Sequence, residues 1–353
     1  MNKSSVGRFF EDFSLGQIIE HPIPRTITEG DVSLYIALTG SRFSLFSSHH
    51  LARKVGFDRP PVDNLLLFHI AFGKTVQDIS LNAVANLGYA EVQFVLPAFI
   101  GDTISVLSEV IGLKENSNGK TGIVYVHSRA MNQDGHSVAS WKRWVMVHKK
   151  AEGMLNTFAV EPQLNSEVSP AYLALPDQFN ADQYSYISSG EEFALKDYEV
   201  GEWIDHIDGL TIDASEHTMA TKLYQNNAKV HFNYHQMQDS QHQQRLVYGG
   251  HIISLCRSLS HNGLANAQWL AAINGGAHLN PCYAGNTIYA ATQVQNKYEL
   301  GFGMGALRLR TIGFKNVQWE SIKEQVCSAT NPKTDFPENV VLDLDYTVLI
   351  PNT

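Results

Sequence analysis

The chain contains two copies of one pattern, and that repeat limits the folds open to it more than composition can. The segment EDFSLGQIIEHPIPRTIT at 11–28 lies over KDYEVGEWIDHIDGLTID at 196–213, so that Gly16 meets Gly201, His21 meets His206 and Thr26 meets Thr211, each 185 residues apart. Further on, PAFIGDTI at 97–104 lies over PCYAGNTI at 281–288, and Pro97, Gly101 and Thr103 meet Pro281, Gly285 and Thr287 at a separation of 184. A register kept to within one residue over such a distance, with glycine and proline matching, indicates two copies of one structural unit. The expected organisation is an N-terminal unit over 1–150, a C-terminal unit over 191–353 and a linker over 151–190. That linker holds Pro162, Pro170 and Pro176 among Ser, Asn and Tyr, with little periodicity, and reads as a surface segment that could pack over a sheet. A length of 353 residues suits two domains.

Each copy has the same order of elements: an extended opening, a helix with a loop, an apolar helix, then several strands. In the second copy Ile252, Leu255, Cys256 and Leu259 fall at i, i+3, i+4 and i+7, one buried helix face. In the first, Leu65, Leu66, Phe68, Ile70 and Phe72 are apolar nearly all round, as a helix wrapped by a sheet should be. Alternating runs follow, DTISVLSEVIGL, GIVYVHSRAM and SWKRWVMVHK, with hairpin signals at Asn118-Gly119 and Asp134-Gly135. The second copy repeats them as NTIYAATQV, GALRLRTIGF and VVLDLDYTVLI. One long buried helix followed by an antiparallel meander is an α+β pattern. Two of them side by side would form one continuous sheet, which is a double hot-dog fold.

Composition removes several classes of function. Lys and Arg number 26 against 35 Asp and Glu, a net charge of −9 with no basic cluster, so nucleic acid and anionic membrane surfaces are poor partners. No run approaches the length of a membrane span; NLLLFHIAFGKTV is interrupted by His69, Gly73 and Lys74. The opening MNKSSVGRFFEDF has neither an apolar core nor a small-residue cleavage site. Cys256, Cys282 and Cys327 are too few and too scattered for a disulfide framework or a zinc site. A soluble, cytoplasmic protein is expected. His231 and His235 stand four apart, but no further ligands complete a metal set. Gly301, Gly303 and Gly305 precede a strand and do not open a helix, which excludes a dinucleotide loop there.

The segments LYQNNAKVHFN at 223–233 and RLVYGGHIISL at 245–255 resemble the MaoC-type (R)-specific enoyl-CoA hydratases. That family sets an acidic or amide residue and, after four residues, a histidine on a loop following a helix, with a glycine opening the central helix further on. Asn226, His231 and Gly249 stand at those positions. The resemblance is closer still to the mesaconyl-CoA (2-methylfumaryl-CoA) hydratases, also called β-methylmalyl-CoA dehydratases. It runs through nearly the whole chain, in GRFFEDFSLGQ, PRTITEGD, FHIAFGKTV, ISLNAVANLGYA, KTGIVYVHS, VYGGHIISL, NGLANA, GALRLRT and LDYTVLIP. It implies a hydro-lyase that adds water reversibly to a 2-enoyl-CoA, most simply mesaconyl-CoA, with no cofactor beyond the CoA thioester substrate.

The chemistry accounts for these residue types. Hydration of a double bond conjugated to a thioester needs a base for the water proton and an acid for Cα, and one histidine can serve as both near neutral pH. The enolate forming on the thioester oxygen needs fixed donors, and a backbone N–H at a helix N-terminus is one. On this reading His231 is the acid/base, Asn226 orients the water and Gly249 is the oxyanion donor. Asn226 replaces the aspartate usual in the wider family, although the mesaconyl-CoA subgroup also reads YQN here; Asp213 and Glu216 lie upstream as carboxylates that could substitute. At a separation of 185 the first copy carries Ser41, Phe46 and Asn64 instead, so it is expected to be a non-catalytic partner that helps shape the acyl-CoA groove.

A second carboxylate on the substrate calls for a cation, with Arg245 the first candidate and Arg257, Arg308 and Arg310 following. Tyr248 and Gly250 join Arg245 as expected substrate contacts, and Lys229 is a candidate for a CoA phosphate. Gln244 and Ala277 stand where the subgroup carries arginines, so the acyl specificity could differ. The alternatives are a hydratase of another enoyl-CoA and a non-catalytic acyl-CoA-binding module. A homodimer is the expected assembly.

Overall fold

The computed structural model describes residues 3–153 and 159–353; residues 154–158 of the expected linker lie outside the described residues. Strands β1 (Ile18–Thr26), β2 (Ala83–Phe94), β3 (Thr103–Glu115), β4 (Thr121–Met131) and β5 (Ser137–His148) belong to the first half of the chain. Strands β6 (Trp203–Asp205), β7 (Leu210–Thr211), β8 (Trp269–His278), β9 (Thr287–Gly301), β10 (Met304–Lys315) and β11 (Val340–Pro351) belong to the second. They form one sheet in the order β1-β3-β4-β5-β2-β8-β11-β10-β9-β6, with β7 also on β9, and all pairings are antiparallel. The halves join where β2 meets β8, with Tyr89 opposite Gly276, Ala90 opposite Gly275 and Val92 opposite Ile273. This is the continuous sheet of a double hot-dog.

Each half packs its sheet around a central helix. The first, Asn64–Thr75, is buried along its whole length; the second, Gly249–Leu259, is buried from Gly250 onward. Burial of each large apolar side chain contributes roughly 1.5–3 kcal/mol. Both helices therefore belong to one core in which Leu66, Phe68 and Ile70 join Ile253, Leu255 and Leu259. Alternation does the corresponding work in the strands, where β3 and β5 bury every second residue over most of their length.

The repeated residues make repeated contacts. Gly16 N–H donates to the Val110 carbonyl and Gly201 N–H to the Val294 carbonyl, both at 2.8 Å. Gly101 and Gly285, at φ +99° and +89°, donate to the carbonyls of Ile27 and Ile212, also at 2.8 Å. At those angles a side chain would be strained, which accounts for glycine in both copies. His21 Nε2 lies 2.9 Å from Ser108 Oγ and His206 Nε2 lies 2.7 Å from Thr292 Oγ1, so each half threads one buried histidine into its sheet.

The connection after β5 is pinned to the surface. Val160 makes an isolated bridge with Leu113, and Leu173, Leu175, Phe179 and Tyr184 pack on a cluster built from Phe43, Leu45, Phe46 and Trp269. Between β10 and β11 two helices, Trp319–Ser328 and Pro332–Asp335, lie outside the repeat. The first inserts Trp319, Ile322 and Val326 against Phe314 and Ala291. Among the described residues no helix is long and apolar enough to cross a membrane.

Candidate active site

The loop carrying Asn226 and His231 follows the helix Ala214–Leu223 and ends in the short turn Lys229–His231. Its position is set largely by the other half of the chain. A Cβ on Gly73, in the first central helix, would lie 1.9 Å from the Tyr224 carbonyl oxygen and 3.2 Å from the Asn226 nitrogen. The Asn227 side-chain amide donates to Gln77 Oε1, just beyond that helix. Glycine at 73 thus lets the helix touch the backbone of the loop. Replacing Gly73 with alanine is expected to displace Asn226 and lower turnover about 100-fold while the sheet stays folded, since displacements near 1 Å carry such costs. Steady-state rates beside far-ultraviolet circular dichroism would check it; an unchanged rate would remove the contact from the argument.

Leu246 holds His231 in place. Its N–H donates to the Val230 carbonyl at 3.0 Å, and its carbonyl accepts from His231 Nδ1 at 3.0 Å. The proton therefore resides on Nδ1, and among the described residues the Nε2 lone pair has no hydrogen-bond partner. Burial pushes the His231 pKa down to about 4, and the bond to the Leu246 carbonyl opposes this only in part. The ring is neutral at pH 7 and fit to accept a proton. Asn226 is buried and its Oδ1 accepts from the Ala228 N–H at 3.0 Å, which leaves one lone pair and the amide donors free. Tyr248 packs edge-on against His231, with ring centroids 5.6 Å apart, and links it to the second central helix.

That helix begins without a cap. Tyr248 occupies the N-cap position and its side chain makes no capping bond, so the N–H groups of Gly249 and Gly250 have no acceptor within the helix. The first half differs at the equivalent position, where Asp63 accepts from the Leu65 N–H at 2.8 Å. One helix N-terminus is closed by its own carboxylate; the other is open to an oxyanion. Gly249 also lies under the His278 ring, which a Cβ would approach to 2.6 Å. His278 Nε2 is hydrogen-bonded to the Tyr89 hydroxyl, so both halves build this wall.

The structure brings Asn226, His231, Tyr248, Gly249 and Gly250 together. Gly250 is packed tightly, its Cβ direction filled by the Tyr248 ring at 2.4 Å and His69 Cε1 at 2.7 Å, so only its N–H is available to a ligand. Lys229 is exposed on the loop surface. Arg245 is half-buried and donates to Thr218 Oγ1 at 2.9 Å.

The remaining arginine candidates are already engaged. Arg257 donates to Ser260 Oγ and the Ala267 carbonyl and lies over the Phe43 ring at 3.8 Å. Arg308 pairs with Asp345 and Glu167, and Arg310 with Asp343. Asp213 and Glu216 are both exposed, and burial, not a carboxylate, dominates the His231 environment. His235 is exposed too, and no metal-binding cluster occurs among the described residues. In the first half Phe46 packs on Trp269 at 6.1 Å and the Asn64 amide donates to the Leu270 carbonyl at 2.6 Å, so the equivalent space is filled. Gly73, Tyr89 and His278 escaped the reading of the sequence, because their part in the site arises only where the halves meet.

The family model for mesaconyl-CoA hydratase matches residues 2–332. The chain is 50% identical to the β-methylmalyl-CoA dehydratase of Chloroflexus aurantiacus over 99% of its length and 98% of that protein's. It is 48% identical to the mesaconyl-CoA hydratase of Cereibacter sphaeroides, over 99% of both chains. A crystal structure of a MaoC domain protein from Chloroflexus aurantiacus J-10-fl covers 100% of both chains with a TM-score of 0.94 at 49% identity. With its two-half fold, its open helix N-terminus and these relatives, the chain belongs to the mesaconyl-CoA hydratase family.

Proposed function

We propose that the chain adds water reversibly to mesaconyl-CoA to give β-methylmalyl-CoA, with the reacting groups in the second half and the first half as a non-catalytic partner that shapes the groove. The observation that carries the reading is a neutral histidine with a free Nε2 beside an uncapped helix N-terminus. The names of the relatives at 48–50% identity support the acyl group.

The roles follow from the atoms. His231 Nε2 takes one proton of a water whose other proton is held by Asn226 Oδ1. The water oxygen bonds to Cβ as the double bond's electrons move onto the thioester oxygen. The Gly249 and Gly250 N–H groups hold that oxyanion. The enolate then collapses and Cα takes the proton from Nε2, which restores the neutral ring. The dehydration direction runs the same steps backwards.

Purified protein incubated with mesaconyl-CoA should bleach the absorbance of the conjugated thioester and yield a product heavier by one water. Turnover of crotonyl-CoA instead would point to a hydratase of another enoyl-CoA. Inertness towards both would favour an acyl-CoA-binding module.

A further inference from the structure

Arg143 lies on β5 in the half of the chain that lacks the catalytic residues, and its surroundings are unusual for an arginine. It is 1% exposed on the inner face of the sheet, between Trp141 and Val145. Its Nη2 donates to Ser80 Oγ at 3.2 Å, while Nε and Nη1 are buried with no hydrogen-bond partner among the described residues. Among the described residues no carboxylate pairs with it, and the ionisable neighbours that bear on its charge are the phenols of Tyr248 and Tyr89. Burial pulls its pKa down only to about 10, so it remains charged at pH 7.

A guanidinium in this state is expensive. Removing such an ion from water costs several kcal/mol, and its empty donors add to that. Its cation–π contact with Phe72, 4.4 Å from the ring centroid, recovers on the order of 2 kcal/mol of this. The fold does not require an arginine here. The halves are related about the β2–β8 junction, so the position paired with Ile273 on β11 matches the one paired with Tyr89 on β5. Tyr346 occupies it, and its hydroxyl is bonded to Thr311 Oγ1 at 3.0 Å.

The guanidinium stands one ring away from residues of the candidate site. Phe72, beneath the guanidinium, packs on Tyr248 at 6.2 Å and on Tyr89 at 6.1 Å. Tyr248 in turn packs on His231, and Tyr89 bonds the His278 that covers Gly249. In mesaconyl-CoA the carboxylate is attached to Cβ, the carbon that receives water, so its counter-ion must border this same site. We propose that Arg143 is the counter-ion for the distal carboxylate of the substrate and sets the preference for dicarboxylic acyl groups, a role that rests on the hydratase reading above. The planar fork of donors suits a carboxylate. The non-catalytic half would then supply specificity to the chemistry of the other half.

Binding of two saturated, unreactive thioesters tests this apart from turnover. Succinyl-CoA carries the carboxylate and butyryl-CoA lacks it. The wild type should bind succinyl-CoA the tighter, and Arg143→Met should weaken succinyl-CoA on the order of 100-fold while leaving butyryl-CoA within a factor of about three. Arg143→Lys, which keeps charge but loses the fork, should fall between them, and it serves as the test should the methionine variant not fold. Equal weakening of both thioesters would make Arg143 structural and overturn the proposal. So would a variant that keeps the full preference. A wild type that hydrates mesaconyl-CoA but shows no preference for succinyl-CoA would also refute Arg143's role, whereas a wild type inert towards mesaconyl-CoA would refute the hydratase reading beneath it.

Discussion

Replacing His231 with alanine is expected to lower hydration of mesaconyl-CoA about 1000-fold, within the usual range for a lost general acid–base group. The prediction rests on one ring holding both proton-transfer duties, with Nδ1 committed to the Leu246 carbonyl and Nε2 free. His231→Gln should be equally slow, because an amide cannot take the water proton. The KM should move little in either variant, since the thioester is gripped by the open end of the helix Gly249–Leu259. The pH profile gives a second, independent check. A histidine lowered to about 4 is neutral from pH 8 down to 6, so kcat/KM for hydration should be flat there. A histidine of ordinary pKa would halve it near 6.5. A variant retaining more than a tenth of the rate would sink the assignment.

Mild acid is expected to unfold the protein. His206, His217 and His251 are buried with pKa values lowered to about 4, and His69 to about 3, by loss of hydration. In the unfolded chain each would titrate near 6.5. A depressed folded-state value means the unfolded state binds more protons below pH 6.5. Stability is therefore complete above that pH and is lost as pH falls towards 4. At about 1.4 kcal/mol per unit of separation each residue contributes on the order of 3 kcal/mol, and four together match a typical total stability of about 5–15 kcal/mol. The melting temperature at pH 5 should lie roughly 10 °C or more below that at pH 7. Substituting His251 and His206 with glutamine should flatten the dependence. Identical melting at the two pH values would mean these rings are not held dry and neutral.

Much of the fold was legible because it was written twice. Gly16 and Gly201, or Gly101 and Gly285, mark turns that need a positive φ, and the hairpin pairs at Asn118-Gly119 and Asp134-Gly135 fall where β3 passes to β4 and β4 to β5. The helix Trp319–Ser328 went unread although Trp319, Ile322 and Val326 carry a helical spacing. It has no counterpart in the first copy, so the repeat offered no guide to it.

The site divides in the same way. Asn226, His231 and Gly249 could be named from the sequence because their spacing is local, one loop and the helix that follows it. The role of Gly73 against Tyr224 could not, and neither could the meeting of Tyr89 with His278 or the lack of a counter-ion at Arg143. Two of the arginines considered after Arg245, Arg308 and Arg310, proved to be satisfied by aspartates set diagonally across the β10–β11 ladder. What the residues determined by themselves was the repeat, the periodicity of each element and the chemistry of one loop, since these depend on neighbours a few positions away. Tertiary structure decided which charges were neutralised, which helix end was left open and which half of the chain walls the other's site. Those outcomes turn on desolvation and on contacts between segments far apart in the chain, from 33 residues for Arg310 and Asp343 to 189 for Tyr89 and His278, which the spacing within one element does not encode.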